Sequence, residues 1–286
     1  MSRRGWALFL TLSVLWGLPY LLIRVAVRQL DPGTVVFART FGASLILVPL
    51  AWRQRSFATI RGAWGWLALY SVVEMGVPWL CMSTAEVHIT SSLTGLIVSA
   101  VPLGAIALTR FLHPEEHISR RRVGGLGVGF VGVLVLVGLS VGGRWPWIAL
   151  MGVVVAGYAT GPMIISLRLR QASGLGVVAA SVGLVAMLYA PWGVTHWPRH
   201  LRAETLWSVA GLAVACTAAA FLVFFVLVRE IGPSRTVVVV FLNTAVAVVL
   251  GTLGLHEPLT TGILIGFPLI AVGSVLATSA PMSQRS

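Results

Sequence analysis

Lysine is missing altogether and acids are scarce. The 286 residues hold eight Asp and Glu against twenty Arg, so only 10% of positions are charged. Soluble domains carry roughly 25% charged residues, and a water-soluble fold of this length could not cover its surface with so few. Cysteine is nearly absent as well. Cys81 and Cys216 each fall in an apolar run, which excludes a disulfide framework and gives no metal-ligand spacing; both read as small hydrophobes. There is no Walker motif, which argues against direct ATP hydrolysis. The all-Arg choice of base is read as coding bias. A net charge of +12 raises the question of nucleic acid. However, a nucleic-acid binder gathers its basic residues on one face or stripe, whereas these Arg residues form short clusters between long apolar runs. Nucleic acid is set aside.

What fills the chain is apolar: 57% of residues, with a mean hydropathy of +0.94. A helix needs about 20 apolar residues to cross the hydrocarbon core, and the chain offers ten such stretches, near 6–27, 34–52, 64–84, 91–112, 122–140, 145–167, 174–193, 204–228, 233–255 and 262–279. No gap between them has room for a soluble domain. The first stretch is too long for a signal-peptide core and no small-residue cleavage site follows, so it reads as a span. With the N-terminus inside, fourteen Arg fall on inner segments and five on outer ends, the remaining one being Arg39 within the second span. That bias places both termini in the cytoplasm of a multi-pass cell-membrane protein. Trp6, Trp52, Trp64, Trp66, Trp145, Trp147, Trp192, Trp197 and Trp207 lie near span ends, as an interfacial aromatic belt requires. Trp79 is grouped with them; Trp16 lies deep.

The chain also partly repeats itself. Ser92, Pro102, Glu116, Gly125 and Gly132 match Pro233, Asn243, Glu257, Gly266 and Gly273 at one offset of 141 residues. Pro19 with Pro162 and Pro49 with Pro191 agree at 143 and 142. The expected fold is therefore all-α, an integral membrane bundle of ten transmembrane helices built from two inverted five-helix repeats, residues 1–142 and 143–286. Five spans per copy is an odd number, so the second copy enters from the opposite side. Secondary transporters use inverted repeats to build two exchangeable conformations around one midplane site.

With Trp16 and Gly17 in span one, Arg39 early in span two, Ala85, Pro102, Glu116 and the Gly125/Gly132 helix, and with Gly232, Glu257, Gly266 and Gly273 in the second half, the chain resembles the drug/metabolite transporter superfamily, specifically its EamA-like group. The resemblance spans essentially the whole chain. It implies ten helices in two repeats and the export or exchange of small metabolites, amino acids or drugs without ATP. Asn243 stands where the family usually has proline, His88 where tyrosine is common, and Glu86 where an apolar residue is usual; these departures bear on the substrate.

The candidate site residues are those whose polarity has no business in lipid. Glu74 is the only acid deep within a span, about 15 Å from the start of span three at 1.5 Å per residue. A charge at mid-bilayer costs about 2.5–3.5 kcal/mol on insertion scales, so it should face a cavity or a partner. It reads as a proton carrier or a contact for a substrate amine, or else as a structural pair with Arg39 or Arg24, or an acid kept neutral by its surroundings. Ser13, Trp16, Tyr20 and Arg24 make a stripe at helical spacing on span one; facing a cavity, its rings could stack on substrate and Arg24 could hold a carboxylate. Tyr70, Glu74, Pro78 and Cys81 make a comparable stripe on span three. Ser99 and Pro102 share a face of span four, and Pro102 frees a backbone carbonyl. Asn243 offers donor and acceptor together, and Tyr158 and Thr160 are further candidates. The bland reading of each is interhelical packing. Gly125 with Gly129, Gly157 with Gly161 and Gly262 with Gly266 are spaced for close helix approach only. Glu116 and Glu257 read as acids beside positive helix starts.

No catalytic residue, metal or cofactor is expected. Pro198 breaks the helix that would align His196 with His200, and His113, Glu115, Glu116 and His117 do not match a His-Glu-x-x-His motif. The expected partners are a small-molecule substrate and the bilayer, with H+ as a candidate coupling ion and a homodimer as a candidate assembly. A membrane enzyme and a non-transporting scaffold are the competing readings. The first lacks a catalytic cluster at one depth, and the second has no need of a polar stripe.

Overall fold

The computed structural model describes residues 2–112, 120–140, 144–232, 236 and 239–278. Among these the regular structure is helical, with no strand. The helices are α1 (Arg3–Ala26), α2 (Pro32–Arg53), α3 (Trp64–Ala85), α4 (Ser91–Val98), α5 (Val101–Leu112), α6 (Arg120–Ser140), α7 (Trp145–Arg168), α8 (Gly174–Thr195), α9 (Ala203–Ile231), α10 (Val239–Leu255) and α11 (Thr261–Thr278). By length and apolar composition, α1, α2, α3, Ser91–Leu108 across α4 and α5, α7, α8 and α9 suffice to cross a membrane, seven candidate spans among the described residues. The other three expected spans coincide with shorter apolar helices, Val123–Leu136, Val239–Leu255 and Thr261–Leu276.

Local chemistry sets several boundaries. The Ser2 hydroxyl caps α1 by accepting from the Gly5 N–H at 2.9 Å. At α2, Pro32 opens the helix and Asp31 Oδ1 accepts from the Gly33 N–H at 3.0 Å, the arrangement expected where the first N–H groups lack helical partners. The α4–α5 joint at Ser99 and Ala100 precedes Pro102, which has no N–H to return to the preceding turn. Two helices carry a wider, π-type turn. In α3 it covers Ser71–Gly76, just before Pro78; in α9 it covers Val214–Ala219, where the Thr217 hydroxyl donates to the Leu212 carbonyl at 2.7 Å. Such turns cluster at functional sites.

Contacts between connecting segments define two ends of the bundle. At the first end Ser2 meets Glu230 and Thr59 meets Ser173. At the second, Arg24 meets Glu86, Asp31 meets Trp192, Gln29 meets His200 and Arg202, and Glu257 meets Ser91 and Ser92. Helix α1 starts at the first end; α7, whose Trp147 ring stacks on His88 at 3.6 Å, starts at the second.

Helices from the two halves of the chain pack together: α2 on α8, α6 on α11, α1 on α9 and α10, and α7 on α3, α4 and α5. Glycines permit the closest approaches. A Cβ at Gly132 would stand 2.7 Å from the Ile270 nitrogen, and one at Gly266 2.8 Å from the Leu136 Cβ. One at Gly273 would collide with the Gly129 backbone, so α6 and α11 run antiparallel nearly backbone to backbone. The close approach expected from small-residue spacing is present at Gly129, Gly157 and Gly266, whereas Gly161 makes room for the carboxyl of Glu74. The outer surface is apolar: Leu253, Trp52 and Trp207 are 75%, 75% and 74% exposed. In water that would be a large unfavourable surface; against acyl chains it is matched. Trp79 corrects the belt assignment, being only 5% exposed and buried in the core.

Candidate functional site

Arg39 sits at the centre of the polar interior. It lies on the second turn of α2 and is 6% exposed. Its Nε donates to the Thr217 hydroxyl at 2.8 Å, and its guanidinium lies 3.8 Å from the centre of the Trp79 ring. Two π-type turns make this possible, since Thr217 belongs to the one in α9 and Trp79 follows the one in α3. A desolvated cation over Trp gains about 2 kcal/mol, well short of the cost of burying a lone charge. Yet no carboxylate lies within ion-pair distance: among the described residues the ion pair is Arg202 with Glu204, at 3.7 Å and exposed. Tyr20, Tyr158, Cys216 and Glu86 lie within electrostatic reach of Arg39, and its terminal nitrogens, the bidentate edge that suits carboxylates, bond to no described residue.

Tyr20 (4% exposed) reaches this region from α1, and Tyr158 reaches it from α7 beside Trp79. Gly95 on α4 lets both Tyr20 and Ala247 approach, and its carbonyl accepts from the Thr244 hydroxyl at 3.2 Å. Ser99 is fully buried at the α4–α5 joint, where its hydroxyl turns back to the Leu96 carbonyl at 2.6 Å. Asn243 is buried on α10, with its backbone carbonyl against Gly17 of α1. Asn243 therefore belongs to the α1–α10 contact, and Ser99 and Pro102 to the joint between α4 and α5. Trp16 packs on Phe224 at 5.2 Å and Phe221 at 6.1 Å.

Glu74 occupies the π-type turn of α3, opposite α7. Its Oε2 is buried without a hydrogen-bond partner, and a Cβ at Gly161 would collide with it. It pairs with neither Arg39 nor Arg24. The Arg39 contacts are those above, and the Arg24 guanidinium donates to the main-chain carbonyl of Glu86.

The second end of the bundle holds a denser acidic arrangement. Glu257 is an N-terminal acid, as its sequence position suggested, but the helix it serves is α4 of the other half and not the α11 that follows it. Its carboxylate accepts from four donors, the N–H (2.8 Å) and hydroxyl (3.0 Å to each oxygen) of Ser91 and the N–H (2.9 Å) and hydroxyl (2.6 Å) of Ser92. His256, in the left-handed region at φ 54°, turns the chain for this, and Gly251 leaves the room, since a Cβ there would meet Ser92 Oγ and Glu257 Oε2. Beside it Glu86 is wholly enclosed, and neither side-chain oxygen has a partner.

The described residues hold no group of three or more potential metal ligands. His196 stacks on Trp192 at 4.5 Å, and His113, Glu115, Glu116 and His117 lie outside the described residues. Trp79, Thr217, Cys216 and Glu86 were not singled out from sequence as site residues. Only Thr217, a lone hydroxyl in the apolar run 209–228, and Glu86, an acid at an unusual place, carried a readable signal.

Known proteins resemble this chain along most of its length. The uncharacterized transporter YvbV of Bacillus subtilis is 24% identical over 96% of this chain and 92% of its own. The uncharacterized inner membrane transporter YedA of Escherichia coli K12 is 25% identical over 96% and 93%. The probable amino-acid metabolite efflux pump of Salmonella typhimurium is 27% identical over 50% of this chain and 46% of its own. A crystal structure covering 98% of both chains, at 17% identity and a TM-score of 0.68, shares the fold. The model of the EamA-like transporter family matches twice, over residues 3–138 and 145–279. With both halves so matched, the chain belongs to the EamA-like transporter family and is a multi-pass membrane transporter.

Proposed function

We propose that this protein is a secondary transporter of small carboxylated solutes, amino acids among them, which it exports without ATP by exposing one central site to each side of the membrane in turn. The observation that carries the reading is Arg39, a buried cation with no carboxylate partner among the described residues, held where α2 and α3 of one half meet α7 and α9 of the other. A cation kept dry at that cost, with its bidentate edge unspent, suits a solute carboxylate. Tyr20 and Tyr158 flank the same space, and the proposed solute path continues past Trp16 on α1, Ser99 and Pro102 at the α4–α5 joint and Asn243 on α10.

Two inverted five-helix units, residues 1–142 and 143–286 with both termini cytoplasmic, give the motion its symmetry. This reading is supported by the paired family matches, by π-type turns 143 residues apart, and by α1 and α7 starting at opposite ends. The Salmonella relative's name points to amino-acid metabolites. A buried acid, Glu74 or Glu86, supplies the H+ coupling. The test is a retention screen of amino acids and other carboxylated metabolites in cells with and without the protein, at two external pH values. Carboxylated solutes should fall inside expressing cells and not in cells making Arg39→Gln. Equal retention in all three strains across the set overturns the reading.

A further inference from the structure

Glu86 presents a problem that its surroundings do not solve. It follows the last turn of α3 with no exposure to solvent, and both carboxyl oxygens lack a hydrogen-bond partner. An unpaired buried carboxylate costs several kcal/mol, so a group placed this way takes a proton instead. The available charges do not rescue it as an anion. Arg24 on α1 spends its guanidinium on the Glu86 main-chain carbonyl, and Arg39 on α2, though within electrostatic reach, makes no hydrogen bond to either Glu86 oxygen. Glu257, which faces it from the segment before α11, is itself an acid, already satisfied by Ser91 and Ser92 of α4. Tyr20 on α1 also lies within reach, and His88, two residues on, is stacked against Trp147 of α7. Burial pushes the Glu86 carboxyl well above the usual carboxylate range; Arg24 pulls it back, Glu257 adds to the rise, and Arg39 opposes it.

Glu86, Arg24, His88 and Glu257 belong to the second end, where the Glu257 latch and the His88–Trp147 stack join segments from the two halves of the chain and the Arg24 tie joins α1 to the end of α3. We propose that the Glu86 carboxyl is a proton-binding site that holds this end shut, taking up one proton from water as the end closes and returning it as the end opens. The inference rests on the transporter reading for its purpose and names Glu86, in preference to Glu74, as the acid that ties proton to movement. Both oxygens of Glu86 are stranded, and it borders contacts that must part, whereas Glu74 strands Oε2 alone and is wedged against Gly161. The sign follows: the closed form binds the extra proton, so closure is favoured at low pH and lost as pH rises through the raised Glu86 value. One linked proton changes the closed-to-open ratio by up to about tenfold per pH unit.

The test uses the full chain, purified in detergent so that both faces meet one buffer, with Cys81 and Cys216 replaced by serine. A cysteine at Ile89, 1% exposed, reports opening, and one at Val87, 40% exposed, supplies the reference for thiol ionisation. The ratio of their maleimide labelling rates should climb with pH in the parent. It should stay low at every pH in Glu86→Gln, which mimics the protonated acid, and should climb with a shifted midpoint in Glu86→Asp. A parent ratio flat in pH, or a Glu86→Gln ratio that still climbs, overturns the proposal. If Glu86→Gln is not recovered folded, Glu86→Asp decides, an unmoved midpoint overturning it. Labelling needs no solute, so a chain that titrates in this way but moves no carboxylated solute sinks the proposed transport function and leaves the proton site standing.

Discussion

At the scale of single residues, the structure distinguishes polar groups that are spent from those held in reserve. The Arg39 Nε is spent on Thr217, and its bidentate edge is not. Thr217→Val should therefore weaken the site without abolishing it. A hydrogen bond to a charged group contributes about 1.5–3 kcal/mol, so a roughly tenfold or greater rise in the half-saturating solute concentration is expected in an uptake assay. Arg39→Lys keeps the charge but loses the fork, and should transport less than a tenth as fast as the parent. Glu74 makes a different prediction, because its Oε2 is packed against Gly161. Gly161→Ala overpacks that contact, at about 1–3 kcal/mol, and should lower the thermal unfolding temperature by less in a Glu74→Ala background. Equal losses in both backgrounds would show that the two residues do not meet. Depth in an apolar run made Glu74 and Arg39 legible from sequence. Trp79 was misread because proximity to a span end also fits an interfacial residue, and only the course of α2 shows that it lies under a guanidinium.

Among the elements, the informative features are interruptions. The π-type turns of α3 and α9 and the joint between α4 and α5 each leave backbone or side-chain groups facing inward that an unbroken helix would have used. Proline announced two of these in the sequence, through Pro78 and Pro102. The turn at Val214–Ala219 had no such marker; it holds a hydroxyl–carbonyl bond within the helix, from Thr217 to Leu212, and no proline. The Glu257 latch belongs to this scale too. Its acidic side chain was legible as a helix-start residue, but its target was not, because α4 lies 165 residues earlier in the chain. Gly251→Ala should push the carboxylate off Ser92 and Glu257→Gln should remove its charge. Each is expected to lower the unfolding temperature by several degrees and to raise labelling of a cysteine at Ile89 at low pH. Unchanged stability in both would show that the latch carries no load in the resting protein.

At the scale of the molecule, seven candidate spans and three shorter apolar helices among the described residues, an apolar exterior and two matches to one family describe a transporter embedded in lipid. The apolar runs and the repeat offset made the helical class and the family visible without coordinates, because lipid forces every span to declare itself. The polar centre was harder to see. It is assembled from α2, α3, α7 and α9, and no local pattern tells which residues of separate spans will face one another. If the two halves are inverted copies, tags at residue 1 and residue 286 should report the same, cytoplasmic, side; tags on opposite sides would break the symmetry on which alternating exposure depends. The most direct test of the central claim is counterflow. Vesicles containing the purified chain and preloaded with an unlabelled amino acid should take up the labelled one faster than empty-loaded vesicles, and Arg39→Gln should abolish that stimulation. Stimulation that survives intact in Arg39→Gln, or its absence from the parent across a panel of carboxylated solutes, would contradict a central carboxylate site exposed in turn to the two sides.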